Sequence, residues 1–350
     1  MKPLPTLPSG ISRRHLLRQV FAYSAAAALA GRLPAFSAPA AEEGLHFLML
    51  GDFGNSKKYR LLKPGSTPSA KDGDPNAPSM QDKVAAAMKG YVQSRNIKTE
   101  GLFLLGDNFY GTMPGGVASP RWKEGFEDMY PADVFPGPCW AMLGNHDYDE
   151  ESFQKVAAQL SYADAHPGTR WTMPSKWFRV DWPEKDPLVT CLVLDSNYQN
   201  HLAYLTPEEK AKQAAWMKSE LEKPRAAWTV AFGHHPLYSN GPHGDSAALI
   251  AEWGPIFQKY GVAAYFCGHD HDLQHLEFEG VNTSFVVSGG GGASITKIKT
   301  PDRKIYSEMT NGFSHLVVTK EKLIVRHLSP EQKQLHAFSR DLAGKVEILT

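Results

Sequence analysis

Five times along this chain a short apolar run stops at a glycine, and a metal-binding side chain follows at once. The five segments are Gly51-Asp52-Phe53-Gly54, Gly106-Asp107-Asn108-Phe109-Tyr110, Gly144-Asn145-His146-Asp147, Gly233-His234-His235-Pro236 and Gly268-His269-Asp270-His271. Apolar runs of about four to eight residues bounded by glycine read as buried strands. A glycine there lets the backbone turn sharply without a Cβ clash. The next side chain then leaves the sheet at its carboxyl edge, where open α/β sheets put their sites. A lone Gly-Asp is usually a turn, and a lone His-x-His on a loop is weak evidence of metal. Five such segments, each behind an apolar run, leave little room for a purely structural explanation. The oxygen and nitrogen donors they carry suit iron, zinc or manganese better than calcium or soft copper.

The rest of the chain fits α/β layering. Strands are expected at 45–50, 101–105, 139–143, 188–194, 227–232, 263–267 and 283–288, and helices at 81–94, 152–160, 207–222 and 246–259. Phe313–Thr319 and Leu323–His327, on either side of Lys320-Glu321-Lys322, read as a β-hairpin. Residues 56–80 are rich in Lys, Pro, Ser and Gly without a period and read as a long loop, of a kind often functional or mobile. There is no repeat. Cys139, Cys191 and Cys267 each sit in an apolar run and are expected to be free, buried thiols.

Charge divides the chain. The 37 basic and 37 acidic residues balance, but 1–40 holds five basic residues and no acidic one, leaving 41–350 at about −5. A mildly acidic body gives no support for a nucleic-acid or anionic-membrane surface. Ser12-Arg13-Arg14-His15-Leu16-Leu17, an Ala-rich run from Val20 to Ala30 and Ala38-Pro39-Ala40 come in the order of a twin-arginine export signal with its cleavage site. A mitochondrial-type presequence is the less favoured alternative. The run is too short to span a bilayer, so no membrane anchor is expected once the signal is removed. The expected organisation is a signal over 1–40 and one domain over 41–350, exported folded to the periplasm or beyond.

With these residues in view, the sequence resembles the metallophosphoesterase superfamily, and within it the small, mammalian-type (tartrate-resistant) purple acid phosphatases. Tyr110, three residues after Asp107, is the discriminating feature. The resemblance runs from about 45 to about 320 and includes Gln159-Leu160-Ser161-Tyr162, Arg170-Trp171, Pro174, Phe178-Arg179, Tyr238-Ser239, His243-Gly244 and Ser288-Gly289. It implies a four-layer α-β-β-α sandwich with two mixed β-sheets. It also implies two metal ions. Asp52, Asp107, Tyr110 and His271 would hold Fe(III); Asp107, Asn145, His234 and His269 would hold Fe(II), Zn or Mn, with Asp107 bridging. Hard Asp and Tyr oxygens suit a trivalent ion and neutral Asn and His a divalent one, in agreement with that division.

The implied activity is hydrolysis of phosphate monoesters, by a metal-bound hydroxide, at acidic pH. His146 is the implied proton donor or charge stabiliser, Asp147 a candidate to orient its ring, and His243 a weaker candidate for the same work or for phosphate contact. His235 stands where the family often has another residue type, and either backs the ligands or is an ordinary buried ring. His46, His166, His201, His275, His315 and His327 match no motif and are expected to be structural or superficial. Trp122, Trp171, Trp177, Trp216 and Trp253 are expected in the core or at the rim. The family's disulfide has no equivalent among the three cysteines. Small phosphate esters are the expected partners and a monomer the expected state. A phosphodiesterase acting on nucleotides or phospholipid head groups is the alternative on the same scaffold. A metal-binding protein without turnover is the alternative from another class.

Overall fold

The computed structural model describes residues 43–55, 78–149, 154–198, 204–300, 303 and 305–349. The expectations for 1–40, for residues 56–77 of the long loop and for His201 lie outside the described residues.

Two mixed sheets form the middle of the fold. In the first, β1 (Leu45–Leu50), β2 (Thr99–Leu104), β3 (Cys139–Ala141) and β4 (Trp171–Thr172) are parallel neighbours. β12 (Phe313–Val318), β13 (Lys322–Leu328), β14 (Gln334–Asp341) and β15 (Val346–Leu349) extend it antiparallel from β1. In the second, β6 (Val189–Val193), β7 (Trp228–Phe232), β8 (Ala264–Cys267) and β10 (Ser284–Ser288) are parallel. Antiparallel β5 (Phe178–Trp182) closes one edge, and β9 (Leu273–Leu276) and β11 (Tyr306–Glu308) close the other.

Three apolar cores separate four layers. Phe47, Met49, Phe103 and Leu105 from the first sheet meet Val193, Val230, Phe232 and Phe266 from the second. Phe103 and Phe232 stack with centroids 3.8 Å apart at 8°. The opposite face of the first sheet is covered by α1 (Met80–Ser94) and α3 (Gln154–Ala165). The opposite face of the second is covered by α4 (Pro207–Glu222) and α5 (Ala247–Tyr260). Strands buried on both faces read as continuous apolar runs, which is why they were legible. Removing each such large side chain from water contributes about 1.5–3 kcal/mol.

The helices start where local chemistry directs. Ser79 caps α1, and Asp82 returns a bond to the Ser79 N–H. Thr206 and Glu209 do the same for α4, with Pro207 at its first position. Ser246 caps α5, and Gly261, at φ 67°, ends it. The three cysteines are free and buried. Trp122, Trp171 and Trp253 are in the core, with Trp177 and Trp216 packed against it. Among the described residues no helix is long and apolar enough to cross a membrane.

Register sets up the site. Leu50 pairs with Leu104 and Leu104 with Ala141, so the turns after β1, β2 and β3 emerge side by side. Phe232 pairs with Phe266 and Val193 with Phe232, which brings the turns after β6, β7 and β8 together on the facing sheet.

Candidate metal centre

Oxygen donors come from the first sheet. Asp52 follows β1, Asp107 and Tyr110 follow β2, and Asn145 opens α2 (Asn145–Tyr148) after β3. Nitrogen donors come from the second: His234 after β7, His269 and His271 after β8. The backbone is bent hard at three of them, with φ 59° at Asp52, 52° at Asp107 and 72° at His269. Left-handed conformations cost a non-glycine residue about 1 kcal/mol or more, and they collect at functional sites. Close approach explains two of the glycines. A Cβ on Gly144 would overlap the Asp107 backbone N and Oδ1, and one on Gly106 would meet the His234 ring.

All seven expected ligands meet in one place, as two groups. Tyr110 Oη lies 3.3 Å from Asp52 Oδ1 and 3.2 Å from His271 Nε2, which is 3.5 Å from Asp52 Oδ1. His234 Nε2 lies 3.2 Å from Asn145 Oδ1, 3.3 Å from His269 Nδ1 and 3.4 Å from Asp107 Oδ1. It is also 4.0 Å from Asp52 Oδ1, so the two groups touch.

Carbonyls fix which imidazole nitrogens face inward. The Leu105 carbonyl is 2.8 Å from His234 Nδ1, and the Ser294 carbonyl is 2.6 Å from His271 Nδ1. A carbonyl only accepts, so each Nδ1 carries the proton and each Nε2 turns a lone pair into the site. Lone pairs from carboxylate, phenol, amide and imidazole thus converge with few protons to share. Such a donor set fits cations.

Without a cation the site takes protons instead. Burial opposes a charge on His234, but Asp107 and Asp52 outweigh it and lift the ring to about 10. Against the same opposition, the hydrogen bond and charge of Asp52 lift His271 to about 9. Burial, with Asp107 and Asp52 beside it, pushes the Tyr110 phenol well above its ordinary value. Burial also works against charge on Asp107, yet His234 and His146 hold it well below the carboxylate range.

Asp147 does not orient His146. Its carboxylate accepts the backbone N–H groups of Gly144, Asn108 and Phe109 at 2.9–3.2 Å, and the Gln159 amide at 3.1 Å. It ties the Asp107 loop to the Asn145 loop. The acid on the His146 ring is Asp149, with Oδ2 2.6 Å from Nδ1. Sequence reasoning chose the adjacent acid, whereas the short α2 turns the one three residues on toward the ring.

His243 lies over His269, ring centroids 4.0 Å apart, and its Nδ1 is 2.7 Å from Asp270 Oδ1. His235 backs the cluster: its ring is 4.3 Å from that of His269, and its Nδ1 meets Ser196 Oγ at 3.0 Å. Ser196 also accepts the N–H groups of His234 and His235. It follows β6, whose end carries no glycine, so the glycine signal passed over it. His46 and His315 pair at 3.0 Å, as do His275 and His336, away from the donors.

The Calcineurin-like phosphoesterase family profile matches residues 45–273. Human tartrate-resistant acid phosphatase type 5 is 28% identical over 306 residues, covering 78% of this chain and 91% of that protein. Purple acid phosphatase 17 of Arabidopsis thaliana is 26% identical over 271 residues, covering 75% of this chain and 72% of its own. Among solved structures, the purple acid phosphatase PPD1 of yellow lupin superposes with a TM-score of 0.64 at 16% identity, over 87% of this chain and 55% of that one. GAP50, the anchor in the inner membrane complex of Plasmodium, superposes with a TM-score of 0.67 at 19% identity, over 88% and 90%. These two likenesses speak for the fold alone.

Proposed function

The chain belongs to the calcineurin-like phosphoesterase family, and from that premise we propose that it is an acid phosphatase hydrolysing phosphate monoesters at a two-cation centre. The observation that carries this reading is the sorting of seven ligands into two touching groups. Asp52, Tyr110 and His271 make one, Asp107, Asn145, His234 and His269 the other, and Asp107 is assigned the position between the two cations. The first, rich in anionic oxygen, is assigned Fe(III); the second is assigned Fe(II), Zn or Mn. Relatives named tartrate-resistant and purple acid phosphatases, similar over three quarters of this chain, support the assignment. Held by these residues, a cation pair would supply activated water and neutralise charge on the phosphoryl group.

The chain's own side chains do the rest. With Nδ1 on Asp149, His146 keeps Nε2 for the departing ester oxygen. His243, held by buried Asp270, stands half-exposed beside His269 and offers a contact for phosphate oxygen. An Fe(III) site rich in anionic ligands is the basis for expecting an acid optimum. Residues 1–40 are proposed as a twin-arginine signal, with a monomer acting in the periplasm or outside the cell.

Two substitutions test the roles. Asp107→Asn is expected to lose bound metal by elemental analysis along with activity. His146→Ala is expected to keep both metals and the visible tyrosinate–iron band while kcat falls about 10²–10⁴-fold. Full activity in either variant would remove the corresponding role. A higher rate on an aryl phosphodiester than on its monoester would replace phosphatase by phosphodiesterase.

A further inference from the structure

We propose that Asp149, clamped by the buried Lys155, is the positioning residue for His146, so that helix α3 sets the direction of the imidazole facing the leaving group. The inference rests on the phosphatase reading and adds two residues to it.

Both Asp149 oxygens are committed. Oδ2 takes His146 Nδ1 at 2.6 Å, and Oδ1 takes Lys155 Nζ at 2.8 Å. A carboxylate only accepts, so the His146 proton on this side sits on Nδ1 and Nε2 is left for the site. A second anchor is needed because the His146 side chain is 38% exposed and makes no other side-chain hydrogen bond in the described structure. Its ring also packs against Tyr110, centroids 4.4 Å apart. A partly exposed imidazole held on one face samples several rotamers; a short bond to a fixed carboxylate selects one.

Lys155 supplies the fixity. Its side chain is fully buried, near the start of α3. Nζ donates to the carbonyls of Phe109 at 3.2 Å, Gly111 at 2.8 Å and His146, as well as to Asp149. The first two carbonyls flank Tyr110, and the third belongs to the residue being positioned. One ammonium therefore holds the Tyr110 loop, the His146 backbone and the acid on the His146 ring in one frame. Burying an ammonium is costly unless it is paired and hydrogen-bonded, and packing alone would be met by an apolar side chain. The four acceptors around Nζ are what a clamp requires.

Chemically, an attacking water oxygen forms its bond to phosphorus as the ester P–O bond breaks. The electron pair of that bond goes to the leaving oxygen, which takes the proton from His146 Nε2, and the proton given up by the water restores the imidazolium. Nδ1 keeps its own proton, donated to Asp149 throughout. Misdirecting Nε2 therefore matters most where the leaving group needs a proton most.

The test uses the metal-loaded full-length enzyme and two substrates, an aryl phosphate with an acidic leaving group and a simple alkyl phosphate. Asp149→Ala is expected to lower kcat on the alkyl phosphate about 10- to 100-fold, much less on the aryl phosphate, with KM and metal content unchanged. Asp149→Glu should recover part of the loss. In a His146→Ala background, Asp149→Ala should cost nothing further. Equal loss on both substrates, or additive loss in the double variant, overturns the positioning role while leaving the phosphatase reading intact. Full activity of His146→Ala alone removes the His146 role and the positioning role with it, while failure of the metal-loaded parent to hydrolyse either phosphate overturns the phosphatase reading. Should Lys155→Met fold, it should show the same substrate split; a uniform loss on both substrates would sever Lys155 from the proposal.

Discussion

Acid should loosen this fold through His327, a buried ring outside the candidate ligand set. His327 Nε2 meets the Gln274 carbonyl at 3.1 Å and Nδ1 meets Ser314 Oγ at 2.8 Å. His336 and Tyr306 lie alongside, and His275 bonds His336. Burial, then repulsion from His336 and His275, push His327 down to about 3, with the Gln274 carbonyl opposing. In the unfolded chain it titrates near 6.5. The folded state thus binds fewer protons. The stabilisation is complete above about 6.5 and is lost as pH falls from there toward 3. Between pH 7 and pH 5 the unfolded ring charges and the folded ring does not, which costs about 2 kcal/mol at 1.36 kcal/mol per pH unit. Any folded value below about 4 gives nearly the same figure. His327→Gln keeps an N–H for Gln274 and cannot charge. Urea unfolding of the metal-loaded protein and of this variant, each at pH 7 and pH 5, should show the parent losing about 2 kcal/mol more on acidification. Metal loss at pH 5 enters both and cancels. Equal losses would refute the reasoning. His336, held near 4 by burial and His275, adds in the same direction, weakened by its partial exposure.

Two more outcomes follow from the centre. Gly144→Ala sets a methyl against the Asp107 backbone, which cannot swing away; a stability loss of about 1–3 kcal/mol in thermal unfolding and reduced metal content are expected. Metal-free protein at pH 7 should hold protons on His234, near 10, on His271, near 9, and on the Tyr110 phenol, so uptake of both metals with Tyr110 bound as tyrosinate should release about three protons to an indicator in weak buffer, and affinity should fall as pH falls. Uptake with no proton release would contradict the charge balance drawn for the site.

What the sequence disclosed follows from which physical signals are local. β1, β7 and β8 are buried on both faces, and an apolar run ending in glycine announces itself within one window. β14 and β15, at the edge of the first sheet, mix Gln334, His336, Arg340 and Glu347 with apolar residues, and no short window separates them from loop. β4 is two residues long and exists only because β3 offers it a partner. That the seven candidate ligands would converge was legible because their chemistry is uncommon next to strand-ending glycines. Asp149, Lys155 and Ser196 were not, because a buried lysine or a carboxylate on a histidine is defined by distant partners. Asp147 shows the limit: the adjacent acid was the natural choice, and only the turn of α2 shows that it points at backbone N–H groups.

The ligand set divides by element. Every oxygen donor, from Asp52, Asp107, Tyr110 and Asn145, sits on the first sheet, and every nitrogen donor, from His234, His269 and His271, on the second. Each proposed cation therefore draws ligands from both sheets. The spacing of the centre is set by how the sheets pack, and cross-sheet bonds hold it: Asp52 Oδ2 accepts the His269 N–H at 2.8 Å, Leu105 accepts from His234, and Gly51 N–H donates to Ser288. Behind them, Phe103 stacks on Phe232, each only a few residues before a ligand. An interior packed at crystal-like density transmits a shift instead of absorbing it. The aromatic core between the sheets is thus part of the site's geometry. Without cations that geometry would hold strained backbone and crowded lone pairs in place, and the rigidity of the two-sheet core is what keeps it from relaxing.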